Sequence, residues 1–350
     1  MKVALLTIWH EKNYGAELQA YATVKLLKQL GQQVEMIDIR LSDSRKGNLN
    51  QKIYNLICGI TPGHRKFANF WKKNIPVTRR YKSIEDLQQN PPEADVYIVG
   101  SDQVWNPELT KDFSLLYFLN FGDENIKRVS FASSFGTTTW NQPALKKQVQ
   151  TLLNRFSYVT CREKSGVELL DKEFGVKATN VLDPTLVLGD YSDLVSNIKQ
   201  KKTLVYYPLG TDNNLEAFVM ELANELSLTP LKNNKKTSLL GRFEWDCVGV
   251  EEWMRNIAES SFIVTRSFHG LVFAILYHRQ FAIVASPNGR NNRIIDLLSL
   301  LGLSARFYDS FESLYMDKPW NARIDYDEVD RILNRKRQES MKELKSVFKS

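Results

Sequence analysis

The chain has 350 residues, 43% of them hydrophobic and 25% charged, a globular composition that excludes intrinsic disorder and exceeds one small core, so two domains are expected. Its net charge of +7 is uneven: residues 44–82 hold ten Lys/Arg and no Asp/Glu, residues 331–350 hold seven against two, and the remainder is net acidic. That pattern predicts two local anionic contacts and no nucleic-acid surface, while the wide spacing of Cys58, Cys161 and Cys247 excludes a disulfide framework or a CxxC zinc site and fits a reducing compartment.

In chain order, residues 3–9 read as a buried first strand; one lysine, a short apolar run and no small-residue cleavage site do not make a signal peptide. The longest apolar run, residues 271–277, is far short of a membrane span, so a cytoplasmic protein is expected. Residues 16–30 carry Leu18, Ala22, Leu26 and Leu30 on one helical face with Gly31 as the stop, and a strand at 34–39 completes a βαβ unit. Further strands are expected at 94–100, 129–133, 158–161 and 181–188, with a helix at 163–174. A polar stretch at 189–202 reads as a linker. A second alternation follows: strand 203–208, helix 215–226, strand 262–265, helix 270–278, strand 281–285 and helix 291–301. The predicted fold is α/β, two doubly wound, Rossmann-like domains at 1–190 and 200–320 facing a cleft, followed by a basic helix at 321–350.

Open parallel sheets bind ligands beyond the carboxyl ends of their strands. The residues expected there are chemically rich: Trp9 to Gly15, Gly100-Ser101-Asp102-Gln103, Ser133-Ser134, Arg162-Glu163 and Arg266-Ser267-Phe268-His269-Gly270. Asn13 and Gly15 either cap the first helix or contact an anion or sugar at its N-terminus. Asp102 either caps a turn or works in the site. Arg162 opens a helix, where the macrodipole disfavours a cation, so an anion should compensate it, with Glu163 the in-chain candidate. Residues 266–269 place a cation, a hydroxyl and an imidazole within one turn, which makes either an anion clamp with a proton donor or a solvent-facing loop. His10 is the second candidate acid. No HExxH, paired-His or Asp-rich metal pattern is present, and neither GxGxxG nor GxxxxGK[ST] occurs.

Asn13-Tyr14-Gly15-Ala16 with Leu18 to Ala22, Gly100 to Pro107, Ala132 to Gly136, Arg162 to Gly166, Asp183-Pro184-Thr185-Leu186 and Ser267-Phe268-His269-Gly270, taken together and in this order, resemble the polysaccharide pyruvyl transferase family across roughly residues 1–300. The resemblance implies a glycosyltransferase-B type fold and the use of phosphoenolpyruvate, without a metal or other cofactor, to place a pyruvate ketal across two sugar hydroxyls of a bacterial capsular or exopolysaccharide. It implies donor contacts at Asp102, Arg162, Arg266 and the Ser267–Phe268–His269 turn, with His269 as the acid. Two features depart from the family pattern: Glu17 stands where a small or apolar residue is usual, and residues 44–82 match none of its motifs.

The chemistry asks for the same residue types. Phosphoenolpyruvate carries a phosphate and a carboxylate, so arginines such as Arg162 and Arg266 suit it, and Arg290 and Arg293 either add to the phosphate clamp or are solvated. Protonation of the enol methylene suits His269, and Asp102 is placed to orient or deprotonate the attacking hydroxyl, with Ser134 beside it at a neighbouring strand end. Two rivals stand beside this reading: a glycosyltransferase using a nucleotide sugar, and a noncatalytic saccharide-binding relative. Cations interleaved with Tyr54, Leu56, Ile57, Ile60, Phe67, Phe70 and Trp71 in 44–82 suit an anionic membrane surface or a polyprenyl-diphosphate-linked acceptor, which would make the protein peripheral at the inner face of the cytoplasmic membrane. The alternative is a helical flap packed on the first domain with solvated cations.

Overall fold

The structure is a computed structural model that describes residues 1–9, 12–40, 61–208, 212–236, 246–287, 289 and 291–349. It divides into two compact units, the first comprising Met1–Lys52, Asn69–Leu188 and Arg335–Ser350, the second Ile53–Ala68 and Gly189–Asn334.

The first unit is built on a parallel sheet of β1 (Lys2–Leu6), β2 (Gln33–Asp38), β3 (Val77–Arg80), β4 (Val96–Val99), β5 (Lys127–Ser130) and β6 (Phe156–Tyr158). Its order is β3-β2-β1-β4-β5-β6, so the winding reverses between β1 and β4. Val96–Val99 is buried throughout, as a strand covered on both faces requires. The helix Tyr14–Gln29 starts two residues before its expected position, because the Asn13 side chain caps it, and Gly31 at φ 73° ends it. Two short strands, β7 (Thr160–Cys161) and β8 (Thr179–Asn180), pair in parallel beside the sheet.

Two expectations change here. Residues 181–188 do not form a strand: Asp183 Oδ1 accepts from the Thr185 amide (2.9 Å), and Pro184 opens a short helix, Pro184–Leu188. Conversely, the basic segment contributes an edge strand, β3, which pairs with β2 at Met36 and Asp38. Its Val-Thr-Arg-Arg sequence shows no alternation because an edge strand leaves most of it exposed.

The helix Pro62–Asn74 follows the undescribed residues 41–60. Phe67, Phe70 and Trp71 are buried, Phe70 against Tyr21 and Trp71 against Trp9, with ring centroids 5.9 and 6.2 Å apart. Those apolar residues are interior, which matches the packed flap; Tyr54, Leu56, Ile57 and Ile60, also in the membrane reading, lie outside the described residues.

The second unit carries β9 (Thr203–Tyr207), β10 (Thr229–Lys232), β13 (Phe262–Thr265), β14 (Gln280–Val284) and β15 (Phe307–Tyr308) in the parallel order β10-β9-β13-β14-β15, with a small antiparallel pair, β11 (Lys235–Lys236) and β12 (Asp246–Cys247). Its winding reverses between β9 and β13. The last helix, Tyr326–Ser346, packs within the first unit through its final turns: Ser340 Oγ accepts from the Leu182 amide (3.0 Å), and Leu344 and Val347 are buried. Among the described residues no helix is long and apolar enough to cross a membrane.

Candidate functional site

The chain's expected site residues fall into two clusters, one at the winding reversal of each sheet. In the first unit the strand ends come close: a Cβ on Gly100 would lie 3.0 Å from Thr7 Cβ, a tight contact that glycine relieves where β4 passes the end of β1. Thr7 Oγ1 donates to the Ser101 carbonyl (2.6 Å), and Gln19 Nε2 donates to Thr7 Oγ1 (3.1 Å). Beyond β4 and β5, Asp102 and Ser133 form a parallel bridge, and Ser133 pairs in the same way with Cys161 of β7. Asp102 sits at φ 73°, a left-handed backbone that Asp tolerates better than most residues.

Asp102 Oδ1 accepts from the Gln103 amide (2.9 Å) and from Arg162 Nη2 (3.3 Å), while Oδ2 has no hydrogen-bond donor among the described residues. Arg162, with its side chain 1% exposed, also donates from Nη1 to Asp183 Oδ2 (2.8 Å) and to Ser101 Oγ (3.3 Å), and its Nε lies 3.7 Å from Glu163 Oε2. Ser101 Oγ in turn donates to Asp183 Oδ2 (2.9 Å). Burial works against the guanidinium charge, but Asp183, Asp102 and Glu163 overcome it and hold the Arg162 pKa above the ordinary arginine value. Glu163, the compensating anion expected from sequence, is the most distant of the three carboxylates. With three acids on one cation among the described residues, this cluster is net anionic when ionised, which suits a hydroxyl-bearing ligand better than a doubly anionic one.

In the second unit, the helix Phe268–Leu276 begins two residues before its expected start, capped by Ser267, whose Oγ accepts from the Gly270 amide (3.2 Å). A Cβ on Gly270 would come 2.9 Å from Thr265 Oγ1, so glycine lets the helix start against the end of β13. Arg266 Nε lies 2.9 Å from Asp212 Oδ2, its Nη1 donates to the Ala285 carbonyl, and its guanidinium lies 5.0 Å from the Phe311 ring centroid. Among the described residues Arg266 therefore has one carboxylate partner where Arg162 has three. His269 lies in the first helical turn at 8% exposure, its ring edge-on to Phe268 at 5.2 Å, and the Arg293 guanidinium lies 5.6 Å from the Phe268 ring. Arg266, Ser267, Phe268, His269 and Arg293 are thus gathered around one helix start.

The remaining expected residues are placed as follows. Asn13 Oδ1 accepts from the Gly15 and Ala16 amides (3.0 and 3.4 Å), the capping alternative. Ser134 is fully buried and its Oγ accepts from the Gly136 amide (3.1 Å). His10 and Arg290 lie outside the described residues. Asp183, Ser101 and Asp212 join these sites without a role expected from sequence. Asp183 was hidden inside an expected strand, and its Asp-Pro-Thr turn was the signal against that strand. Asp212 caps the helix Asn213–Glu225, with Oδ1 accepting from Leu215 N (3.0 Å), a pattern readable from Asp-Asn-Asn before an apolar run.

Comparison with known proteins adds three findings. A family model described as polysaccharide pyruvyl transferase matches residues 13–288. No curated protein matches the chain. Among solved structures, UDP-N-acetylglucosamine 2-epimerase from Rickettsia bellii aligns at TM-score 0.56 and 8% identity, covering 99% of this chain and 96% of that one. The S. aureus MnaA–UDP co-structure aligns at 0.55 and 12%, covering 95% of each chain. The Methanocaldococcus jannaschii UDP-GlcNAc 2-epimerase in complex with UDP-GlcNAc and UDP aligns at 0.53 and 10%, covering 95% of this chain and 99% of that one. At these identities the likeness shows the fold, two Rossmann-like domains of the glycosyltransferase-B type.

Proposed function

Because the chain belongs to the polysaccharide pyruvyl transferase family and is therefore a pyruvyltransferase enzyme, we propose that its donor is phosphoenolpyruvate, that its product is a cyclic ketal on a sugar of a capsular or exopolysaccharide, and that the acceptor is a polyprenyl-diphosphate-linked oligosaccharide. The observation that carries this reading is the helix start in the second unit, where Arg266, Ser267, His269 and Arg293 gather.

In this reading the second unit handles the donor. Arg266 and Arg293 hold its phosphate and carboxylate, since planar guanidinium groups match both anions. His269 gives a proton to the enol methylene, and a sugar hydroxyl adds to the adjacent carbon. Asp102, whose Oδ1 is held and whose Oδ2 meets no donor among the described residues, is the proposed base that takes that hydroxyl's proton. The carbon–oxygen bond to phosphate then breaks, and the second hydroxyl closes the ring, its proton leaving with the phosphate. No resident cofactor is proposed. The protein is proposed to be cytoplasmic, with exposed Lys72 and Lys73 meeting the anionic inner membrane surface where such an acceptor resides.

Incubation with phosphoenolpyruvate and lipid-linked oligosaccharides, read by mass for an added pyruvyl group and by released inorganic phosphate, tests the donor and the product together. The structural neighbours solved with UDP or UDP-GlcNAc keep a nucleotide-sugar donor as the rival. Sugar transfer from a nucleotide sugar, with no phosphate released from phosphoenolpyruvate, would replace this proposal with that one.

A further inference from the structure

We propose that Asp183 is a positioning residue for Asp102, acting through Arg162. This deepens the preceding proposal and rests on its assignment of Asp102 as the base. Asp183 is buried, and its two oxygens do different work. Oδ1 is held by Thr185, through its amide at 2.9 Å and its hydroxyl at 2.5 Å, so the carboxylate is anchored to the start of the helix Pro184–Leu188. Oδ2 receives Arg162 Nη1 at 2.8 Å and Ser101 Oγ at 2.9 Å.

The other end of the same guanidinium reaches Asp102 Oδ1 at 3.3 Å. A planar guanidinium clamped at one edge has little freedom at the other, so anchoring at Asp183 fixes where Nη2 presents its proton. Ser101, next to Asp102 in sequence, closes the loop: its hydroxyl donates to Asp183 and its carbonyl accepts from Thr7. Asp102 is thereby oriented from both its backbone and its side chain, in a left-handed conformation that such support helps maintain. Arg162 serves here as a tether, not as the second cation of the donor site.

The test is a double-mutant cycle with steady-state kinetics on the full chain. Asp183→Asn keeps the shape but weakens the Arg162 contact, and should lower kcat about 10- to 100-fold, the usual size of a loss in orientation of a reacting group, with KM for phosphoenolpyruvate within about twofold. In a background already carrying Asp102→Asn the same change should cost nothing further, because what it positions is gone. Arg162→Lys, which keeps the charge but cannot span Asp183 and Asp102 together, should behave like Asp183→Asn. If Asp183→Asn does not fold, Ser101→Ala, which removes one donor to Asp183, enters the same cycle with a smaller expected loss of about threefold or more.

Wild-type turnover in the folded Asp183→Asn or Ser101→Ala protein, or an undiminished effect in the Asp102→Asn background, would overturn the inference. The Asp102→Asn protein measured alone separates the two levels: if it turns over normally, the assignment of Asp102 as base fails and this inference falls with it. If it is impaired while the cycle is additive, only the role of Asp183 fails.

Discussion

Trp71 Nε1 donates a hydrogen bond to Glu17 Oε2 in the interior of the first unit, across 54 residues of sequence, and Glu17 has no exposed surface. They join the first helix, Tyr14–Gln29, to the helix Pro62–Asn74 of the basic segment. A carboxyl group in the first helix is costly to bury without donors, and the helix Pro62–Asn74 brings one.

Removing the donor alone should therefore destabilise the protein. Trp71→Phe keeps most of the aromatic packing but takes one donor from a buried carboxylate, at an expected cost of about 1–3 kcal/mol in urea unfolding. Glu17→Gln, which still offers an acceptor, should cost less than Trp71→Phe. A Trp71→Phe protein as stable as wild type would show that the pair contributes nothing to folding.

His269→Gln should lower turnover by about 100-fold or more, the usual contribution of a general acid, and change the apparent affinity for phosphoenolpyruvate much less. Single-turnover kinetics with saturating donor measures the step directly. Near-normal turnover would take His269 out of the mechanism and leave His10 as the candidate acid.

Arg266→Lys should weaken the apparent affinity for phosphoenolpyruvate about tenfold although the charge is kept, because lysine cannot supply two parallel hydrogen bonds and cannot keep the Asp212 and Ala285 contacts while reaching a ligand. Calorimetric titration of the donor into the folded variant checks it. Arg162→Lys in the same titration should leave donor affinity within about twofold, since Arg162 is surrounded by Asp102, Glu163 and Asp183. The reverse pattern would move the donor site to the first unit.

Replacing exposed Lys72 and Lys73 by alanine should reduce co-sedimentation with vesicles of anionic lipid, with a loss of about 1 kcal/mol per lysine, and the wild-type binding should weaken as salt is raised. Activity on a soluble short acceptor should be spared. Absence of wild-type vesicle binding at low salt would end the membrane proposal, since Phe67, Phe70 and Trp71 are interior and cannot supply it.

The alternation of strand and helix, the two doubly wound units, and the strand ends where reactive side chains collect all follow from the amino-acid sequence. Those features are local: the 3.6-residue apolar spacing of residues 16–30 and the short apolar runs at 96–99 and 262–265 are visible within a few residues. The helix after β13 is expected from its apolar run, but reading its first two residues, Phe268 and His269, as loop leaves unused the Ser267 cap that starts the helix there. Which polar groups meet depends on how the folded chain brings distant segments together. Asp102, Arg162 and Asp183 come from three separate segments and share one guanidinium, and Val77–Arg80 becomes a strand because β2 offers it an edge. The reason is physical: burial of apolar faces is written into short-range periodicity, whereas the pairing of a buried charge depends on which loops the sheet order brings to the same strand ends, and no local spacing encodes that order.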